Sequence, residues 1–272
     1  MTVRLRTVDA FTDRPFSGNP AAVVVLDEIP PDDWMAALAR ETAVSDTAFV
    51  IRETSSDADF RLRWFTPKME VELCGHATLA AAHCLLDDGV SAPIRFATRS
   101  GVLTVSRHDD GSLVMDFPAW PPVPIDTPAG LVEALGVPVV WTGKSDNYVF
   151  LVALLLDESA VRALSPDVAR LTSLDAEAVI VTAASDAGQA YDFVSRVFAP
   201  NIGINEDPVT GSSHTVLAPY WADRLGRRSL VGFQASARSG LVRVEVNGDR
   251  VTIAGQAVTV VEGVLTSSAS PS

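Results

Sequence analysis

The chain has 272 residues, 47% apolar and 20% charged, with 21 basic residues against 34 acidic ones for a formal net charge of −13. That length and apolar content suit one large globular domain or two of ordinary size. The acidic balance argues against a nucleic-acid partner, which needs clustered Lys and Arg to meet phosphates, but leaves room for a small anion held by a local field. Two cysteines, Cys74 and Cys84, exclude a disulfide scaffold and suit a reducing cytoplasm. The first residues carry no signal-like apolar run, and the longest apolar stretch, Tyr148 to Leu156, is too short to span a bilayer.

In chain order, Val3 to Ala10 alternates as a strand does, and a loop rich in Pro, Gly and Ser delivers Asn19-Pro20 to an apolar strand from Ala21 to Leu26. Pro30-Pro31-Asp32-Asp33 opens a helix with Trp34, Leu38 and Thr42 inward. Ser45-Asp46-Thr47 precedes a strand from Ala48 to Ile51, and Thr54 to Asp57 reads as a turn. A hairpin turns at His108-Asp109-Asp110-Gly111, and the proline-rich stretch from Pro118 to Pro128 reads as a linker. Leu131 to Leu135 is a short helix stopped by Gly136. Strands at Val137 to Val140 and Tyr148 to Leu156 flank a polar loop from Gly143 to Asn147, with Asn147 echoing Asn19. A helix opens at Ser165-Pro166-Asp167, and a strand follows at Val179 to Thr182. Later strands are Leu230 to Ala235, Leu241 to Val246 and Arg250 to Val260, before a disordered tail at 267–272.

One stretch occurs twice. Asp59, Phe60, Arg63, Phe65 and Pro67 return at an offset of 133 as Asp192, Phe193, Arg196, Phe198 and Pro200. After the proline comes a polar loop, three residues longer in the second copy. A small-residue turn follows (Cys74-Gly75-His76 or Thr210-Gly211-Ser212), then an apolar helix ending at a glycine. A helix apolar on all sides is a buried helix. The expected fold is therefore α+β: two pseudo-symmetric domains, each a curved, mostly antiparallel, barrel-like sheet around a central helix. The boundaries fall at 1–117, completed by 258–266, and at 118–257.

Both helix starts offer unpaired N–H groups at the positive end of a dipole, so Gly75, Gly211 and Ser212 are candidate carboxylate-binding positions. The plain alternative is that the glycines only permit a tight turn into each helix. His76 is neither a good cap nor a good core residue, and the helix start should favour its neutral form. Asp207 lies before Pro208 in the longer loop, where Asp is also a common turn former. Asp46 either caps a turn or serves as a general base at a strand end. His83, His108 and His214 read as structural or exposed. The sequence shows neither a metal-ligand spacing nor a Gly-rich nucleotide loop, so no metal site and no nucleotide-binding loop is expected.

The segments DAFTDRPFSGNPAAVV, ETAVSDTAFV, LRWFTPKMEVELCGHATLAAA and IGINEDPVTGSSHTVLAPYWADRLG, spread over positions 9 to 226, resemble the PhzF-like (phenazine biosynthesis) family of the diaminopimelate-epimerase-like superfamily. The resemblance implies two epimerase-like domains with an active site between them, no cofactor, a homodimer and a small carboxylate-bearing substrate. It also implies a proton-transfer isomerase related to trans-2,3-dihydro-3-hydroxyanthranilate isomerase. By motif, the assisting histidine falls on His76, the aspartate on Asp207 and the substrate-holding serine on Ser212, with Asn19, Gly75 and Gly211 at the binding positions. The family's catalytic glutamate falls on Asp46. An aspartate there sets the carboxylate back by roughly 1.5 Å, one C–C bond, where misplacement by about 1 Å can cost on the order of a hundredfold in rate. Two rival readings are a racemase or epimerase using Cys74, and a catalytically silent small-molecule binding protein on the same scaffold. The superfamily's racemases carry a cysteine at each helix start, and here the second position is Thr210.

Overall fold

In the computed structural model, residues 3–52, 57–145, 150–266 and 268–271 are described. The turn expected at Thr54 to Asp57 lies almost wholly outside them, as does Asn147. The chain divides into two compact units, Met1–Asp116 with Ala254–Ser272, and Phe117–Ile253.

The first unit runs β1 (Arg4–Ala10), β2 (Asn19–Leu26), α1 (Asp32–Thr42), β3 (Asp46–Arg52), β4 (Phe60–Phe65), β5 (Glu70–Val71), α2 (Gly75–Asp87), β6 (Ile94–Thr98), β7 (Gly101–Arg107) and β8 (Leu113–Pro118). β1 and β2 pair antiparallel, β2 and β3 parallel, β3 and β4 antiparallel, β4 and β6 parallel, and β6, β7 and β8 antiparallel in turn. The second unit contains β9 (Val123–Pro124), α3 (Leu131–Leu135), β10 (Trp141–Ser145), β11 (Phe150–Leu154), α4 (Glu158–Ala163), α5 (Val168–Leu171), β12 (Ala178–Ala184) and β13 (Phe193–Ala199). It continues through β14 (Ile204–Asp207), α6 (Ser213–Leu225), β15 (Ser229–Gln234), β16 (Gly240–Asn247) and β17 (Arg250–Gly255). Its pairings repeat the first unit's: β10 with β11 antiparallel, β11 with β12 parallel, β12 with β13 antiparallel, β13 with β15 parallel, β15 with β16 antiparallel. The last strand, β18 (Ala257–Val264), pairs antiparallel with β1 in the first unit.

The duplication extends to side chains. Arg63 clasps Glu70 through two bonds of 2.7 and 2.8 Å and lies 5.2 Å from the Phe65 ring. Arg196 clasps Glu206 through 2.7 and 2.9 Å and lies 5.1 Å from Phe198. The Asp59 carboxylate accepts from the Arg95 backbone N–H, and Asp192 from that of Val231. In each copy the planar guanidinium ties the strand to the loop that leads into the helix, which bidentate geometry does well.

In α2 the residues His76 to Ala82, Cys84 and Leu85 are all buried, as an all-apolar helix requires. α6 buries Ser213 to Ala218, Tyr220 and Trp221. Pro219 inside α6 cannot donate to the carbonyl of Thr215, and that oxygen instead accepts from the Trp120 N–H at 2.9 Å.

Some local expectations are corrected. α1 buries Met35, Leu38 and Ala39; Trp34 is half-buried against the same core, and Met35 and Ala39 replace Thr42 on the inward stripe. Trp34 packs edge-on to Phe49 and donates its indole N–H to the Ala269 carbonyl, which ties down part of the tail expected to be disordered. Val137 to Val140 is not a strand. The strand begins at Trp141 and includes Gly143 to Ser145, because the Trp141 ring folds across Gly143, where a Cβ would lie 2.2 Å from it. The stretch Arg250 to Val260 breaks at Gln256, whose carbonyl accepts from the Thr12 N–H. The proline-rich segment is not only a connector, since Val123–Pro124 pairs with β10.

Candidate active site

In the first unit, four of the residues singled out by sequence come together. β2 and β3 run parallel with Ala21 opposite Asp46, so Asn19 and Asp46 stand at the same end of neighbouring strands. The loop ahead of Asn19 turns through Gly18 at φ +65°, where a Cβ would lie 2.1 Å from the Ala10 carbonyl oxygen. Only glycine fits there. The start of α2 brings Gly75 and His76 to the same strand ends, with Cys74 as N-cap in an extended conformation whose side chain accepts no capping hydrogen bond.

His76 is the hub. Its Nδ1 lies 3.3 Å from Asn19 Nδ2 and 3.5 Å from Cys74 Sγ, and its Nε2 lies 3.5 Å from Asp46 Oδ2. Ser45 Oγ donates to Asn19 Oδ1 at 2.9 Å. That bond directs the Asn19 amide N–H groups toward His76, so Nδ1 accepts and the proton sits on Nε2, facing the Asp46 carboxylate. Burial pushes the His76 pKa down to about 3. The imidazole is thus neutral near pH 7, as the sequence suggested, but desolvation is the cause rather than the helix start. Asn19, Asp46, Cys74 and His76 are all buried, at 0, 5, 8 and 6% exposure, so charge at this spot acts at low dielectric. The shorter Asp46 still brings its carboxylate to the imidazole.

In the second unit, Asp207 ends β14 and is buried, and its Oδ2 accepts a hydrogen bond from Thr210 Oγ1. Gly211 is buried and Ser212 half-buried at the start of α6, where no N-cap side chain accepts from the first turn. Two residues that the sequence did not single out shape this turn. Gln234, fully buried in β15, accepts from the Thr210 N–H at 2.8 Å and donates to the Asp207 carbonyl at 2.8 Å and to Thr210 Oγ1 at 3.2 Å. His214, read as structural from sequence, donates from Nδ1 to the Thr210 carbonyl at 2.8 Å. Burial pushes its pKa down to about 4, against a smaller upward pull from that carbonyl. A lone Gln after the apolar run Leu230 to Phe233 of the strand SLVGFQ was the available signal for Gln234.

The two copies differ where chemistry would occur. The ladder sets Phe49 opposite Arg63 in the first unit and Val181 opposite Arg196 in the second, so the counterpart of Asp46 is Ala178. The counterpart of Cys74 is Thr210. One copy therefore carries a buried acid, imidazole and thiol together, and the other a carboxylate bonded to a hydroxyl.

Fold and site together define a duplicated α+β protein whose first unit gathers an acid, an imidazole and a thiol at a buried helix start. Residues 8–263 match the PhzC-PhzF family, described as phenazine biosynthesis-like protein, and the chain belongs to that family. It is 52% identical over 267 residues to an uncharacterised isomerase of Pseudomonas aeruginosa, covering 97% of this chain and 99% of that one. A crystal structure of a PhzF-family phenazine biosynthesis protein from Enterococcus faecalis superposes with a TM-score of 0.91 at 39% identity, covering 98% of this chain and all of the other. A probable proline racemase from Agrobacterium radiobacter, at 15% identity and a TM-score of 0.64, shares the fold alone. Among the described residues no helix is long and apolar enough to cross a membrane.

Proposed function

We propose that this chain is a cofactor-independent isomerase that moves a proton between carbons of a small carboxylate-bearing substrate. The observation that supports this most is the approach of the buried Asp46 carboxylate to within 3.5 Å of His76 Nε2, beside the start of α2, where the Cys74 side chain makes no capping bond. Asp46 acts as general acid and base, taking a proton from carbon and returning it. His76, held neutral by burial, donates from Nε2 to the charge that develops on the substrate. Asp207 assists as a polar partner, its carboxylate oriented by Thr210. In the first unit the N–H group at Gly75, with Asn19, binds a carboxylate, and in the second the N–H groups at Gly211 and Ser212 offer the same anion-binding chemistry. The isomerase names borne by similar proteins support the reaction class. We place the enzyme in the cytoplasm as a homodimer.

The test is solvent-deuterium incorporation into a carboxylate substrate found by screening. The Asp46→Asn variant, correctly folded, should lose it by at least about a hundredfold. Wild-type exchange in that variant would remove Asp46 from the role. The thiol reading is favoured by the placement of Cys74 Sγ 3.5 Å from His76 Nδ1. A Cys74→Ser variant that keeps most of its activity excludes it, and near-complete loss there with Asp46→Asn active establishes it. A binding protein gives no exchange in any form.

A further inference from the structure

The Asp46, Cys74 and His76 side chains come from a strand end and a helix start 28 residues apart in sequence, so no ligand spacing is visible in the chain. The fold nonetheless sets one ligand atom from each within 4.8 Å of the others, and all three residues are buried. Carboxylate, thiolate and imidazole are the three donor types that Zn2+ takes, and the set leaves a fourth position open for water or a ligand. We propose that this cluster binds one borderline-soft transition-metal dication, Zn2+ first among them, through Asp46 Oδ2, Cys74 Sγ and His76 Nε2.

The geometry is close to what such a site needs. Bonds of about 2.0 to 2.3 Å at tetrahedral angles put ligand atoms roughly 3.5 Å apart. Nε2 lies 3.5 Å from Asp46 Oδ2 and 4.0 Å from Cys74 Sγ, and all three donors lie within 4.8 Å of one another, so binding draws the thiol toward the other two. The far side of the ring is already supported. With Nε2 on a metal the proton moves to Nδ1, which needs an acceptor. A half-turn of the Asn19 amide presents Oδ1 to Nδ1–H and its N–H to Ser45 Oγ. A hydroxyl can accept as well as donate, so both bonds of this relay survive with their direction reversed. Coordination breaks the Cys74 S–H bond, forms the metal–sulfur bond and releases the proton to buffer. The thiolate and carboxylate together neutralise the dication, which offsets the unfavourable positive end of α2. A bound metal occupies the Asp46 and His76 positions that proton transfer would use, but its binding does not depend on that reaction.

The experiment is titration of metal-free full-length protein with Co2+, followed by absorption, and then with Zn2+. The expected result is saturation at one equivalent, with a sulfur-to-cobalt charge-transfer band and visible bands of tetrahedral intensity, reversed by one equivalent of Zn2+. Cys74→Ser should lose the charge-transfer band, and Cys84→Ser, which alters the other buried thiol, should keep it. Asp46→Asn should keep the band while Kd rises by at least about tenfold. The proposal is overturned if the wild type shows no saturable band, if Cys74→Ser retains it, or if Asp46→Asn binds with unchanged Kd. Deuterium exchange by the metal-free enzyme is read separately, so loss of either reading leaves the other standing.

Discussion

His76 and His214 are held neutral in the folded chain, and that has a sign. Both are buried, with pKa values lowered from 6.5 to about 3 and about 4. The unfolded chain protonates both near the ordinary value, so between these limits it binds more protons than the folded chain. Stability from these two residues is therefore complete above pH 6.5 and is lost as pH falls toward 4 and then 3. Urea unfolding should lose on the order of 2 to 3 kcal/mol per pH unit between about 6.5 and 4, where both groups contribute, and about half that from 4 to 3. His214→Asn, which can keep a donor near the Thr210 carbonyl, should lower the proton uptake on unfolding by about one. An unchanged pH slope in that variant would show that His214 titrates normally.

At the scale of elements, the start of α6 depends on one side chain from another strand. Gln234→Leu leaves the Thr210 N–H and the Asp207 carbonyl without their partner, and each such loss costs roughly 1 to 3 kcal/mol when buried. Unfolding free energy should fall by about 2 kcal/mol or more, and the turn that presents Asp207 and Ser212 should loosen. A variant of wild-type stability would show that this bridge is dispensable. The same contrast explains what could be read in advance. The repeat, the two buried helices and the glycine turns are patterns of adjacent residues, so they are written in the chain. Gln234 acts on Thr210 through the fold from another strand, whereas His214 reaches the Thr210 carbonyl from four residues on, within the same helix start. The strand at Trp141 was misplaced because propensity favoured Val139-Val140, whereas the packing of Trp141 over Gly143 and against Tyr220, at 4.7 Å, decides where the strand lies. The cluster of Asp46 with His76 was legible only through the motifs that carry the family resemblance. Cys74 stands two residues before His76 in the chain, but the gathering of its thiol with Asp46 into a metal-like donor set required the fold.

Over the whole molecule, the net charge of −13 and pI of about 4.6 put electrostatic neutrality inside the same acid range in which the buried histidines cease to favour the folded state. Loss of mutual repulsion and loss of stability then coincide. Turbidity should therefore peak near the pI and be irreversible there. A chain that clears fully on return to neutral pH would show that it stays folded through neutrality.

The two units share a ladder but not an acid: where the first has Asp46, the second has Ala178. In the proposed reaction, that inequality gives catalysis a memory. A lone carboxylate that removes a proton still holds it when the product carbon becomes available, and it can only hand it back on the face from which it came. Part of the substrate's own label should thus reappear in product before solvent washes it out, and handedness at the receiving carbon should be uniform. A pair of matched acids on opposite faces would forget both. The duplication built two cradles, and the departure from symmetry lets one reaction run with a single, traceable atom.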